Sequence, residues 1–292
     1  MKIHLLTVAA DKDLIIGEGC AADQENIRRL FHEVSKLTGA ELDDQAICQI
    51  DKQNFDGPAI ATAVESIHPD PTDAVVFYYT GHGFRHESKT DKWPNIHVGN
   101  DPDTFKAIPL DVGEVYAKLR IKQPRMLMLL VDCCNVRVPD TMVDTDNRLF
   151  SRGTSPAGNT QIQYEKLFKE FEGEVLAMGA QPDECAAGGL AGGIFTSAFL
   201  DYLKTETKPS WEQIMRKACK PKPVPTGFEN RSDNQTPVYW VSEGKIFGRT
   251  PFVGGWRLSE VPGDTAMKTP GSTGRVRPGK HTRTTSPGLG KS

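Results

Sequence analysis

The sequence lacks the features that would take a chain out of the ordinary globular class. None of its six cysteines (Cys20, Cys48, Cys133, Cys134, Cys185, Cys219) stands in Cys-x-x-Cys spacing, so neither a zinc site nor a thioredoxin-like motif is indicated. A chain of 292 residues needs no disulfide staples, and the six read as reduced thiols. No charge dominates: 35 Lys and Arg against 38 Asp and Glu leave a net charge of −3, which gives no global attraction to nucleic acid or to a membrane surface. No apolar run is long enough to span a bilayer. The opening residues 1–10 imitate a secretory signal only faintly, because the apolar stretch is short and broken by His4, and they read instead as a first β-strand. There are no internal repeats, and a cytoplasmic protein is expected.

What the chain does have is strand and helix signals in alternation. Strands are expected near 3–9, 45–50, 73–80, 125–132 and 174–180, which specifies a mostly parallel sheet covered on both faces. Ile27, Leu30, Phe31, Val34 and Leu37 repeat with helical period, as do Ile60, Ala63, Val64 and Ile67. Val112, Val115, Tyr116 and Leu119 mark a third helix, and Phe195, Ala198, Phe199, Tyr202 and Leu203 a fourth. Between 136 and 160 periodicity is lost and Pro, Gly and Arg collect, the mark of a long exposed loop. Residues 251–292 are dominated by Gly, Pro, Ser and Thr with an excess of Lys and Arg, and read as a disordered basic tail. The expected layout is a domain over 1–250, with a larger segment over 1–135, a linker over 136–160 and a smaller segment over 161–250, followed by that tail.

Two of the apolar runs end in reactive residues. Ala74–Thr80 leads into Gly81, His82 and Gly83; Met126–Val131 leads into Asp132, Cys133, Cys134 and Asn135. The carboxyl ends of parallel strands are where α/β folds place their sites. Peptide hydrolysis by cysteine needs a thiolate, a group to protonate the departing amine, and donors aimed at the developing oxyanion. Cys134 and His82 supply the first two, and the Gly83 and Cys134 amides the third. His82 and Cys134 are 52 residues apart, close to the roughly 50 expected of a His-bearing strand, a crossover helix and a Cys-bearing strand. Either residue alone is more often a packed cysteine or an ordinary loop histidine. The small residues of 186–193 lack the Lys and the spacing of a phosphate-binding loop.

These blocks resemble the caspase-like cysteine peptidases, among them the metacaspases and their bacterial relatives. Tyr79-Thr-Gly-His-Gly83 is similar to the family's Tyr-Ser-Gly-His-Gly block, and Asp132-Cys133-Cys134 to its Asp-Cys-Cys or Asp-Ser-Cys block. Gly19-Cys20-Ala-Ala-Asp23 and Asn234-Gln-Thr-Pro237 match further family segments, so the resemblance covers about residues 1–248. It implies a caspase-like three-layer α/β/α sandwich with a central, mostly parallel sheet. It also selects Cys134 rather than Cys133 as nucleophile.

The resemblance further implies an acidic pocket for the residue before the scissile bond, built from Cys20, Asp23, Thr80 and Asp132. Two carboxylates there would favour Arg or Lys, and protein or peptide substrates carrying them. The alternative reading has Asp23 capping a helix that begins near Gln24 and Asp132 ending a strand. Gln181-Pro-Asp-Glu184 would add negative charge beside the groove. Arg148 and Arg152 become self-cleavage sites in the 136–160 loop. No metal or other cofactor is expected: Asp111 and Asp140 lie at or near acidic positions of the metacaspase calcium site, but the six or more oxygens a hard cation takes are not evident, and calcium dependence should be weak or absent. Asn135-Val136 departs from the family's His-Ser. The rival readings are a non-catalytic interaction module and a peptidase with another residue preference; oligomeric state is left open.

Overall fold

The apolar runs become strands because each is bounded by turn residues and buried almost throughout, and the few polar groups inside them, such as Thr7 and the Tyr78 and Tyr79 hydroxyls, find partners. The computed structural model describes residues 1–48, 55–98, 109–139, 161–206, 209–224, 234–246, 251–252 and 256–257. The chain divides into a unit of Met1–Val261 and a unit of Pro262–Ser292, and the described residues all belong to the first.

In chain order the elements are β1 (Lys2–Ala9), α1 (Gly17–Thr38), β2 (Glu41–Cys48), α2 (Gly57–Ser66), β3 (Ala74–Thr80), β4 (Gly83–His86), β5 (Asn95–Ile96), β6 (Leu110–Asp111), α3 (Val112–Arg120), β7 (Met126–Asp132) and β8 (Arg137–Val138). Then follow α4 (Gln161–Tyr164), which runs on as a π-helical turn over Glu165–Glu170, β9 (Gly173–Met178), β10 (Gly188–Gly189), β11 (Gly192–Gly193), α5 (Ile194–Thr205), α6 (Trp211–Ala218), β12 (Lys222–Pro223), β13 (Asn234–Gln235) and β14 (Val238–Glu243).

Six strands form the central sheet in the order β14-β9-β7-β3-β1-β2. All neighbours are parallel except β14, which pairs antiparallel with β9. Alternate side chains of each strand feed two cores. Ile3, Leu5, Val76, Tyr78, Met128 and Leu130 meet α1, α5 and α6 on one face. Leu6, Val8, Val75, Phe77, Leu127 and Leu129 meet α2 and α3 on the other. The result is the expected three-layer α/β/α sandwich. Each fully buried Val, Leu, Ile or Phe contributes about 1.5–3 kcal/mol against exposure, so the two apolar layers fix the sheet firmly.

The strand order determines where a site can form. From β1 the chain goes to β2 on one side; from β3 it goes to β7 on the other. Such a reversal opens a crevice outside the carboxyl ends of β1 and β3.

Three expectations need correction. First, α1 begins at Gly17, so Asp23 lies within the helix rather than capping its start. The turn before α1 is built by Asp13, whose Oδ1 accepts the Ile15 and Ile16 N–H groups at 2.8 and 3.0 Å and whose carbonyl accepts the Gly17 N–H at 3.0 Å. Second, α6 and the edge strand β14 went unforeseen. Third, the packed chain passes the boundary expected at 250: Phe252 is buried between Trp93 and Trp256, with ring centroids 5.7 and 4.5 Å away, and Arg257 pairs with Tyr239. The other residues of the expected tail lie outside those described. Among the described residues, no helix is long and apolar enough to cross a membrane.

Candidate active site

Strand register accounts for the spacing of His82 and Cys134. Thr80 on β3 lies opposite Asp132 on β7, an offset of 52 residues, and Arg85 on β4 lies opposite Arg137 on β8 with the same offset. Between these pairs nothing is inserted on either side. His82 and Cys134 share the offset, so they stand level on neighbouring segments, in a sheet whose strands lie about 4.8 Å apart. Gly83 lets the tips close: a Cβ there would fall 2.3 Å from the Cys133 sulfur and 2.5 Å from the Cys134 carbonyl oxygen.

His82 is buried and held at both ends. Its carbonyl accepts the Tyr79 hydroxyl at 2.7 Å and the His97 N–H at 3.1 Å. Its Nε2 lies 2.8 Å from Asp13 Oδ2, across the crevice between β1 and β3. Burial of Asp13 would raise its pKa, but the bond and charge of His82 and the two loop amides outweigh it and hold the carboxyl down at about 2. Asp13 was missed in the sequence because its local pattern, an Asp ahead of a helix, reads only as turn chemistry. Nothing along the chain says that it will meet a residue 69 positions away.

Cys134 is equally buried. Its sulfur accepts the Ala186 N–H at 3.3 Å and donates to the Ala186 carbonyl at 3.7 Å. The Cys185 thiol, bonded to it, and burial push the Cys134 thiol well above its ordinary pKa, against a smaller opposing pull from the Ala186 amide. That direction favours the protonated thiol at rest.

Beside the tips lies a cavity of about 40 Å³. Cys20, Asp23, Thr80 and Asp132 all line it, with Gly81, Ala186 and the glycines of β10 and β11. The structure thus brings all four expected pocket residues together. Asp23 Oδ2 accepts the Gly193 N–H at 2.8 Å and the Thr80 hydroxyl at 3.2 Å, while Asp132 Oδ2 accepts the Thr196 N–H at 3.0 Å and hydroxyl at 2.7 Å. Burial and the Asp132 charge raise Asp23 well above the usual carboxylate range; burial raises Asp132 too, against the pull of its Thr196 bonds. Burial likewise raises the Cys20 thiol.

The small-residue run 186–193 is the cover of this cavity. Its β10–β11 hairpin carries glycine where it meets the carboxylates: a Cβ on Gly192 would lie 2.0 Å from Asp23 Oδ1, and one on Gly193 would lie 2.2 Å from Asp132 Oδ2. Gly19 permits the same approach from the helix side, its Cβ position being 2.3 Å from the Gly189 carbonyl oxygen.

The acids of Gln181–Glu184 do not add free charge to the groove as expected. Asp183 pairs with Arg85 at 3.0 Å and Arg137 at 3.3 Å. Glu184 is buried and accepts the Thr236 N–H at 2.7 Å. Gln235, fully buried, accepts the Ala187 N–H at 2.8 Å and donates to the Gly179 carbonyl at 2.7 Å. The Asn234–Pro237 block is thus the anchor of the loop that carries Ala186.

Asp111 is engaged elsewhere: it caps α3 by accepting the Gly113 N–H at 2.7 Å and pairs with Lys89 at 2.8 Å. Among the described residues, no group of three or more His, Cys, Asp or Glu is placed to hold a metal ion. Asp140, Arg148 and Arg152 lie outside the described residues.

The model of the caspase domain matches residues 17–243, well over half of the chain. No curated protein sequence matches. Among solved structures, a crystal structure of a protein from Geobacter sulfurreducens is similar at a TM-score of 0.49 and 14% sequence identity, covering 83% of this chain and 94% of the other. By the domain match the chain belongs to the caspase-domain family of peptidases.

Proposed function

We propose that this protein is a cysteine endopeptidase that cleaves on the carboxyl side of Arg or Lys. Cys134 Sγ attacks the scissile carbonyl, His82 protonates the departing amine, and the Gly83 and Cys134 amides receive the oxyanion. Water then hydrolyses the thioester. The observation that carries the reading is the shared level of His82 and Cys134 in the register, with the Asp23–Asp132 pocket directly beside them.

The Asp13–His82 bond supports a proton-transfer role, because a carboxylate against the ring orients it and favours the charged form that a general acid needs. The acidic lining supports a cationic side chain. As it stands the cavity has room for little more than a water molecule or two, so an arginine must lift the Gly188–Gly193 hairpin. We include in this reading self-processing at Arg148 or Arg152, and a cytoplasmic setting, which the reduced state of Cys20, Cys133, Cys134, Cys185 and Cys219 supports.

The test is hydrolysis of fluorogenic peptides ending in Arg, Lys or Asp by the full chain, with Cys134→Ala alongside. Turnover of the Arg and Lys peptides that vanishes in the variant is expected. Equal turnover by the variant, absence of turnover in both, or preference for Asp would overturn the reading.

A further inference from the structure

Cys185 is a buried thiol that the proposed reaction does not use. The loop around it is fastened to the loop of the nucleophile on both sides. The Asn135 N–H donates to the Glu184 carbonyl at 2.9 Å, and the Asp183 N–H donates to the Asn135 carbonyl at 2.9 Å. One residue beyond Cys185, Ala186 brackets the Cys134 sulfur with both its N–H and its carbonyl. These bonds set residue 185 against residue 134.

We propose that Cys185 is the resolving thiol of Cys134, so that a hydroperoxide converts the pair into a Cys134–Cys185 disulfide that reversibly silences the enzyme. In the first step the Cys134 sulfur attacks the O–O bond; the sulfur gains a hydroxyl as sulfenic acid, and the peroxide leaves as an alcohol, or as water if hydrogen peroxide is used. In the second step the Cys185 sulfur attacks the sulfenyl sulfur, the S–S bond forms, the S–O bond breaks, and the hydroxide leaves as water with the Cys185 proton. Two thiols supply the two electrons that reduce one hydroperoxide. The sulfurs must then close to about 2.05 Å, a bond that joins Cα atoms about 4.4–6.8 Å apart, and the backbone bonds between the two loops hold them together for it.

Two other thiols are near. Cys133 packs its sulfur against Gly83, and Cys20 sits in the carboxylate pocket. Neither has the paired backbone bonds that hold residue 185 in place. A resting thiol kept protonated reacts slowly, so disulfide formation should accelerate as pH rises.

The regulatory meaning rests on Cys134 being the nucleophile, but the bond can be read without any activity. The full-length chain is treated with hydrogen peroxide, alkylated, digested with trypsin without reductant and analysed by mass spectrometry. A crosslink between the peptides 126–137 and 170–204 is expected, with loss of two hydrogens. Because Cys133 and Cys134 share one peptide, Cys133→Ser is run in parallel and should retain the crosslink. Cys185→Ser should lose it and accumulate irreversible sulfinic acid at Cys134, so that reductant restores peptidase activity to the wild type and not to this variant. A crosslink that disappears in Cys133→Ser, a crosslink to Cys20, or full recovery of oxidised Cys185→Ser by reductant would overturn the proposal. A mapped crosslink in a chain that cleaves no peptide would sustain the bond and overturn the peptidase reading instead.

Discussion

Replacing Asp13 by Asn is the most direct test of what holds His82. The variant is nearly isosteric and keeps an oxygen for the Ile15 and Ile16 amides, so the turn before α1 should survive, while the carboxylate 2.8 Å from Nε2 loses its charge. The shift of Asp13 from 3.8 to about 2 corresponds to roughly 2 kcal/mol at 1.36 kcal/mol per unit. Because about a quarter of the side chain is exposed, the net coupling is smaller, about 1 kcal/mol or a little more. That alone is up to about tenfold in a step that depends on the Asp13 charge, since the Ile15 and Ile16 amides share in the shift. Loss of the ring's fixed tautomer adds to it, and general acid–base contributions run to about 10²–10⁴-fold. We therefore expect kcat/KM for an Arg peptide to fall about 100-fold or more, chiefly in kcat, since Asp13 does not line the pocket. The stability difference between the two chains has a defined sign: a carboxyl depressed in the folded state stabilises above its unfolded value, and that contribution fades as pH falls from about 4 to about 2. A variant within about twofold of the wild type in kcat/KM would refute the role.

Three further predictions concern the pocket, its cover and the linker. Burial raises the Asp23 and Asp132 carboxyls, and a cationic substrate works against that rise; KM for an Arg peptide should fall as pH rises, and initial-rate kinetics in Asp23→Asn should show a raised KM with that dependence weakened. Gly192→Ala places a Cβ 2.0 Å from Asp23 at a φ of 116°, and should lower Tm by several degrees in calorimetry, at about 2–4 °C per kcal/mol for a domain of this size. Arg148→Ala combined with Arg152→Ala should leave the chain intact on a denaturing gel where the wild type yields two fragments; unchanged fragments would remove both residues from the self-processing reading.

Most of the sheet was legible because β1, β3, β7 and β9 are buried on both faces and so read as largely apolar runs, and α1, α2, α3 and α5 because each lays one stripe on that sheet. The spacing of His82 and Cys134 was legible for a deeper reason: in paired parallel strands the sequence separation is the register, and it carries through from β3–β7 to β4–β8 without a bulge. The length of α1 was obscured because its first turns carry Gly17, Gly19 and Ala21, which show no apolar stripe. Their smallness serves packing instead, since a Cβ on Gly17 would press on the Asp11 carbonyl and one on Gly19 on Gly189. Asp13, Ala186 and Cys185 were illegible because their roles depend on contacts between segments far apart in the chain. The glycines of 186–193 were conspicuous, but composition alone cannot separate glycine that admits a ligand from glycine that admits another stretch of backbone.

That distinction bears on how the site would open. One continuous segment, residues 185–193, holds both halves of the proposed chemistry: Ala186 occupies the Cys134 sulfur, and Gly193 donates to Asp23. Lifting the hairpin costs Asp23 the Gly193 hydrogen bond in a buried setting while the Thr80 hydroxyl stays on the same oxygen, and a hydrogen bond to a charged group is worth about 1.5–3 kcal/mol. A guanidinium replaces the lost donor with several and favours the ionised form of both carboxylates. A neutral or acidic side chain in the same place offers no such replacement. On the proposed reading, selection for Arg or Lys and release of the sulfur are therefore one event, since the cation that satisfies Asp23 is what allows the segment covering Cys134 to move away.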